Sequence, residues 1–184
     1  MIKSLILLFL LSFFLSGCSL FGDDKNTKGP VAEGLTPKAL YELAEEGFND
    51  GSIDKGIEQL EAILAAHPGS KYAIQARLDI AYQLFKRRKY NRAILELNEF
   101  IDRYPALPSS PYAYYLRGII AEEKSSSILD EVITDRAHRD VQSVRDAYSY
   151  FTLLIDVFPN SKYSEEALKK LVVLKNILQD MNSI

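Results

Sequence analysis

Few residues in this 184-residue chain are of the types that do chemistry. There is one cysteine, Cys18, and there are two histidines, His67 and His138. A thiolate can act as nucleophile, metal ligand or attachment point, and an imidazole as acid–base group or ligand. Neither histidine has a partner at metal-ligand spacing, and no H-E-x-x-H, phosphate-binding G-x-x-x-x-G-K-[ST] or G-x-S-x-G occurs. His67 directly precedes Pro68, where the aligned segments described below carry Tyr104 and Phe158, so a packing role fits it. His138 sits among Asp135, Arg136, Arg139 and Asp140. Adjacent acids such as Glu45-Glu46 and Glu165-Glu166 have the look of a solvated helix face rather than of paired catalytic carboxylates. The expectation is a chain that is not an enzyme and needs neither metal nor cofactor. That leaves Cys18 as the residue whose chemistry needs a reason.

Its setting is FFLSGCSL, residues 13 to 20. Lys3 gives a positive start, and Leu5 to Leu15 is apolar except for Ser12, which is signal-peptide length and too short to span a bilayer comfortably. A general secretion signal would end in an Ala-x-Ala-like site. Leu15-Ser16-Gly17-Cys18 instead resembles the bacterial lipoprotein box, in which the cysteine takes a diacylglycerol, the signal is cut off, and the new amino group can be acylated. The resemblance implies loss of residues 1 to 17 and a lipid on Cys18. One acyl chain binds a membrane marginally, at ~0.8 kcal/mol per buried CH₂, whereas two or more hold firmly. Cys18 is then an attachment point and not a reagent. Ser19 follows it, where an Asp would have resembled the inner-membrane retention signal of enteric bacteria. The expected location is the periplasmic face of the outer membrane.

Without residues 1 to 17 the formal charge moves from −3 to −4, because Lys3 is lost. A mildly acidic chain has no general nucleic-acid footprint. Residues 18 to 35 mix Gly, Asp, Lys and Pro without periodicity and are expected to form a lipidated flexible tether. Residues 36 to 184 are expected to form one domain.

Beyond residue 35 the periodicity is helical, with Leu40, Leu43, Ala44, Gly47 and Phe48 on one face. Thr36 before Pro37 is a helix start, Asn49-Asp50-Gly51 an end, and a second helix should begin near Ile53. Three segments superpose: GIEQLEAILAAHP, AILELNEFIDRYP and AYSYFTLLIDVFP. Each has a small residue (Gly56, Ala93, Ala147) twelve positions before a proline (Pro68, Pro105, Pro159). The small residue admits a neighbouring helix, and the proline stops its own. Tyr72, Tyr112 and Tyr163 then stand at the start of the following helix. Fixed-period self-similarity of this kind is the mark of a repeat array.

The pattern resembles the tetratricopeptide repeat: Ile80 and Ala81, Tyr90 at the turn, Ala93, then Pro105. Arg77 departs from it, standing where that family often has an aromatic. The fold implied is all-α, a helix-pair solenoid of about three and a half repeats. Tyr112 to Pro159 spans 47 positions where Tyr72 to Pro105 spans 33, which puts an insertion near residues 125 to 140, expected as an elaborated loop. In such arrays the first helix of each pair lines a concave peptide groove. Carried onto this chain, that implies groove positions at Tyr41, Glu45, Phe48, Tyr82, Phe85 and Tyr115, although the aromatics could instead pack between repeats, Phe48 above all. The basic run Lys86 to Lys89 before Tyr90 has the look of a solvated turn, with contact to an acidic partner or lipid headgroups as the other use.

Three further stretches are similar to the family of the outer-membrane protein assembly factor BamD. Tyr115-Leu116-Arg117-Gly118 matches its aromatic-x-Arg-Gly segment. Asp135, Arg136, Arg139 and Asp140 match its D-R-x-x-R-D segment, in the same insertion. FPNSKYSEEALKKLVVLKN, residues 158 to 176, matches its P-N-S-x-Y run. The resemblance implies a non-enzymatic scaffold of the β-barrel assembly machinery. Its partners would be BamA, the other assembly-complex lipoproteins, unfolded outer-membrane protein precursors and the membrane itself. The other reading is a periplasmic repeat lipoprotein serving as adaptor in cell-envelope or cell-wall processes. Members of the family usually continue for about two more repeats, so no BamA-contact residues transfer. The last helix, expected from Tyr163 to about Met181, would carry a wide apolar stretch at Leu171 to Leu174 awaiting a partner.

Overall fold

The computed structural model of the chain describes residues 34–131 and 141–182. Among the described residues there are seven α-helices and no strand. They are α1 (Pro37–Asn49), α2 (Ile53–Ala66), α3 (Lys71–Lys86), α4 (Tyr90–Arg103), α5 (Ser110–Glu131), α6 (Val141–Val157) and α7 (Ser164–Asn182). Each helix packs on the next, and α1 also touches α3. This is the tetratricopeptide-like solenoid: α1/α2, α3/α4 and α5/α6 are the pairs, and α7 opens a fourth.

Local chemistry sets the helix ends. The Thr36 hydroxyl accepts a hydrogen bond from the Ala39 N–H at 3.2 Å, and Pro37 occupies the first turn, where a missing donor costs nothing. Ser70 caps α3 in the same way, from Ala73 at 3.1 Å. The second helices end alike. The N–H groups of His67, Tyr104 and Phe158 each bond at 2.8 Å to the carbonyls of Ile63, Phe100 and Leu154, and Pro68, Pro105 and Pro159 follow at once. Two buried serines then fasten the turns, Ser110 Oγ donating to Tyr104 O at 2.5 Å and Ser164 Oγ to Phe158 O at 2.6 Å.

The repeated small residues are contact points. A Cβ on Gly47 would lie 3.1 Å from the Gly56 backbone nitrogen, and one on Gly56 would fall on the Phe48 ring. Ala93 and Ala147 are likewise fully buried. Leu60, Leu97 and Phe151 repeat as the inward face, all inaccessible to solvent. Each such side chain contributes roughly 1.5–3 kcal/mol on burial.

One expectation needs correcting. The stretch from residue 125, expected as loop, begins as helix, because α5 runs on to Glu131. The serines there do not break it. Ser125 Oγ donates to Glu122 O at 2.7 Å, and Ser126 Oγ to Glu123 O at 3.0 Å, so they return their hydroxyls to the helix's own carbonyls.

Candidate peptide-binding face

The first helices of successive pairs, with Tyr163 just before α7, carry tyrosines whose rings touch in two groups. Tyr41 of α1 lies 5.6 Å from Tyr72 of α3, ring centre to ring centre, and its hydroxyl donates to Asp79 Oδ2 at 2.6 Å. Gln75 Nε2 donates to the other Asp79 oxygen at 2.9 Å. One turn further along α3, Tyr82 stands 42% exposed. Tyr112 of α5 is 5.8 Å from Tyr163, and Tyr115 is stacked on Tyr163 at 5.0 Å with planes 21° apart. Lys71 and Lys162, one residue before Tyr72 and Tyr163, place ammonium groups 5.2 Å and 5.0 Å from the centres of those rings.

The electrostatics of this line are set by half-burial. Desolvation pushes the Tyr41, Tyr112 and Tyr115 phenols up, and carboxylate partners, Asp79 for Tyr41 and Glu166 for Tyr115, push two of them further. All three therefore stay protonated, Tyr41 and Tyr115 as donors to those carboxylates. Burial also raises the Asp79 carboxyl, although the Tyr41 and Gln75 hydrogen bonds favour its ionised form. The face is thus a row of un-ionised phenols with acids along it: Glu45 exposed, Asp79 half-buried, and Glu122 paired with Lys170 at 2.7 Å. Such a surface offers large aromatic area and phenol oxygens able to accept, which suits a peptide. Among the described residues no cluster of His, Cys, Asp or Glu could hold a metal ion.

Of the sequence-derived groove positions, Tyr41, Tyr82 and Tyr115 fall on this line, and Glu45 lies exposed on α1. Phe48 and Phe85 serve packing. The Phe48 ring covers Gly56, and Phe85 is half-buried against Tyr90, with ring centres 6.3 Å apart. Tyr72, Tyr112, Tyr163 and Asp79 belong to the face but were read from sequence only as repeat markers or not at all. Their signal was the shared register: the same tyrosine after each helix-stopping proline. His67 is half-buried, with its Nε2 donating to Leu35 O at 3.2 Å. Cys18, and Asp135, Arg136, His138, Arg139 and Asp140, lie outside the described residues.

A second polar line links first and second helices, and it changes along the array. Arg77, five positions after Tyr72, pairs with Glu96 of α4 at 2.8 Å, and Arg92 pairs with Glu61 at 3.1 Å. Burial raises the Glu96 carboxyl, and Arg77 beside it offsets only part of that. Arg117 holds the same position in the next repeat, five after Tyr112. There the place of Glu96 is taken by Tyr150 and the place of Glu61 by Asn98. Arg117 is buried, donates from Nη1 to Asn98 Oδ1 at 2.8 Å, and lies over Tyr150 and Tyr114.

A family model described as YfiO, outer membrane lipoprotein, matches residues 33–182. Among curated proteins, the chain is 32% identical over 178 residues to outer membrane protein assembly factor BamD of Haemophilus influenzae, covering 96% of this chain and 65% of that one. Against the factor of the same name from Neisseria meningitidis serogroup B it is 30% identical over 178 residues, covering 96% and 66%. The chain therefore spans just under two thirds of the length of these relatives. A solved structure described as MamA RS-1 ArsTM double mutant covers 83% of this chain and 80% of its own, with a TM-score of 0.43 and 16% identity, a remote likeness only.

Proposed function

This chain belongs to the YfiO family of outer membrane lipoproteins, and from that membership we propose that it is a non-enzymatic scaffold for outer-membrane β-barrel assembly. Anchored through Cys18 at the periplasmic face, it receives extended segments of unfolded barrel precursors on its tyrosine face and works beside BamA and the other lipoproteins of the complex. The observation that carries the reading is the set of tyrosines, Tyr41 with Tyr72, Tyr82, and Tyr112 and Tyr115 with Tyr163, from the first repeat to the start of the fourth. An extended strand of precursor alternates apolar and polar side chains with period two. Ring faces and protonated phenols together satisfy both kinds. The mechanism is capture and release of a chain, with the lipid setting where that happens.

A photo-crosslinking amino acid placed at Tyr82 in the full chain, in growing cells, tests this. Position 82 should crosslink to newly secreted barrel precursors, whereas Leu95 of α4, also exposed at 58%, should not. Equal capture at both positions, or recovery of cell-wall enzymes in place of precursors and BamA, would overturn it. Cys18→Ala should release the chain from the membrane without unfolding it; an equally bound variant would refute the anchor.

A further inference from the structure

The turn from α3 to α4 carries Lys86-Arg87-Arg88-Lys89, four cations in succession in a chain of formal charge −3. Arg87 is tied to Asp54 of α2, with Nη2 to Oδ2 at 3.0 Å. Lys86, Arg88 and Lys89 are exposed and make no ion pair among the described residues, and the first turn of α4 contains no acid. The backbone adds to this. Arg88 adopts φ 57°, the left-handed region. Seventeen positions before the helix-stopping proline, as Arg88 is, the preceding repeat has Gly51 at φ 85°. Glycine is the residue that conformation favours, because a Cβ crowds the following carbonyl there. The chain thus sets an arginine where the repeat geometry suits glycine, inside a run of four cations of which, among the described residues, Arg87 alone is ion-paired.

We propose that this turn is a contact for the anionic phospholipid headgroups of the membrane surface beside which the chain is anchored. Charge complementarity favours phosphate: the Arg88 fork can meet phosphate oxygens bidentately, and Lys86 and Lys89 add point charge. Geometry permits the contact. The domain's first residues lie beside the start of α3, where Leu35 O meets His67, and α3 is about 24 Å long at 1.5 Å per residue. Seventeen residues, 19 to 35, separate Cys18 from Thr36, and a chain of that length can span at most about 56 Å. The turn can therefore lie on the leaflet that holds the lipid. The inference rests on the proposed anchor only for bringing the turn to that leaflet.

The test uses the full chain with Cys18→Ala, so that no acyl chain contributes. Its partition is measured by co-sedimentation with vesicles of phosphatidylcholine alone and with vesicles containing phosphatidylglycerol. The comparison is the same chain with Lys86→Gln, Arg88→Gln and Lys89→Gln. The apolar amino-terminal segment is common to both proteins, so the ratio of anionic to neutral partition isolates the turn. That ratio should fall on the order of 100-fold in the triple variant, at roughly fivefold per cation, and the parent's preference should fade with added salt. Arg88→Gly separates charge from conformation: the ratio should fall about fivefold while the melting temperature rises. An unchanged ratio in the triple variant overturns the proposal. So does binding to polyglutamate without preference for anionic vesicles, which would assign the turn to an acidic protein partner. Failure of the Cys18 anchor in cells would refute the function above and leave this ratio untouched.

Discussion

The Arg117 guanidinium carbon lies 4.1 Å from the centre of the Tyr150 ring, at the place where the preceding repeat sets a carboxylate, Glu96, against Arg77. A cation is therefore held in the α4–α5–α6 junction by a ring face and one amide oxygen. Its Nε and Nη2 are buried and make no hydrogen bond. Burial lowers the Arg117 pKa, with no carboxylate pair to offset it fully. A ring face over a desolvated cation contributes about 2 kcal/mol, less than the cost of two buried donors left without acceptors.

Asn98→Asp should relieve this, because it places a carboxylate where Glu61 stands one repeat earlier. The expected gain is about 1.5–3 kcal/mol in urea unfolding at pH 7, the range for a hydrogen bond to a charged group. The gain should vanish as the new carboxyl protonates in acid. Tyr150→Ala should cost about 2–4 kcal/mol, because it exposes the cation's apolar flank and opens a cavity. An Asn98→Asp variant no more stable than the parent would show that Arg117 is already satisfied.

Gly118 lies under Phe151 as Gly56 lies under Phe48, and a Cβ on it would sit 2.5 Å from Phe151 Cε1. Phe151 is fully buried and has no room to give way. Gly118→Ala gains about 1 kcal/mol of helix propensity. It should still lose more, about 1–3 kcal/mol net, to overpacking. Combined with Phe151→Leu, the loss should shrink, giving a coupling above about 0.5 kcal/mol in a double-mutant cycle. Additive costs would place the strain elsewhere.

The tyrosine face predicts an acid-side effect. The folded-state pKa of Asp79 is raised, chiefly by burial, so the folded chain holds that proton more tightly than the unfolded one. Its contribution favours folding below the ordinary carboxylate range and is lost as pH rises through the raised value. Asp79→Asn, which keeps an acceptor for Tyr41, should therefore stabilise at pH 7, with the advantage shrinking as pH falls toward 4. Tyr41→Phe should raise the Asp79 pKa further in a carboxyl NMR titration, since the Tyr41 hydrogen bond favours the ionised form. An Asp79→Asn advantage that is flat with pH would refute the linkage.

The repeats were legible because their chemistry is local. A proline must stop a helix, a small residue must admit a neighbour, and Thr36 next to Pro37 must start one. The tyrosine face was half legible, since helical spacing places Tyr41, Tyr82 and Tyr115 on the first helices but cannot tell a ring that lines a face from one that fills a gap. Phe48 shows why: only the absent side chain of Gly56, on another helix, makes room for it. Arg117 was visible as a motif, but its isolation depends on Asn98 and Tyr150, and that requires aligning two repeats in space. The helical start of the insertion was not legible, because the surplus between Tyr112 and Pro159 locates extra residues without giving their conformation; Ser125 and Ser126 bond back within the helix.

Nine positions after Tyr72 and Tyr112 stand Ala81 and Ala121, at 0% and 1% exposure, covered by their partner helices. Nine positions after Tyr163 stands Val172, at 62%, with Leu168 at 52% and Val173 at 54% beside it. Leu171 is half-buried and Leu174 buried, so the apolar stretch read from sequence divides between a packed side and an open one. The open side is the face that earlier repeats use to hold a second helix. The 184-residue chain should therefore bind 1-anilinonaphthalene-8-sulfonate and self-associate in light scattering. Leu168→Lys with Val172→Lys should suppress both while shifting the melting temperature by only a few degrees, about 0.5 kcal/mol per exposed site. If the double variant unfolds or the dye still binds, these side chains are covered in solution, and the open face lies elsewhere.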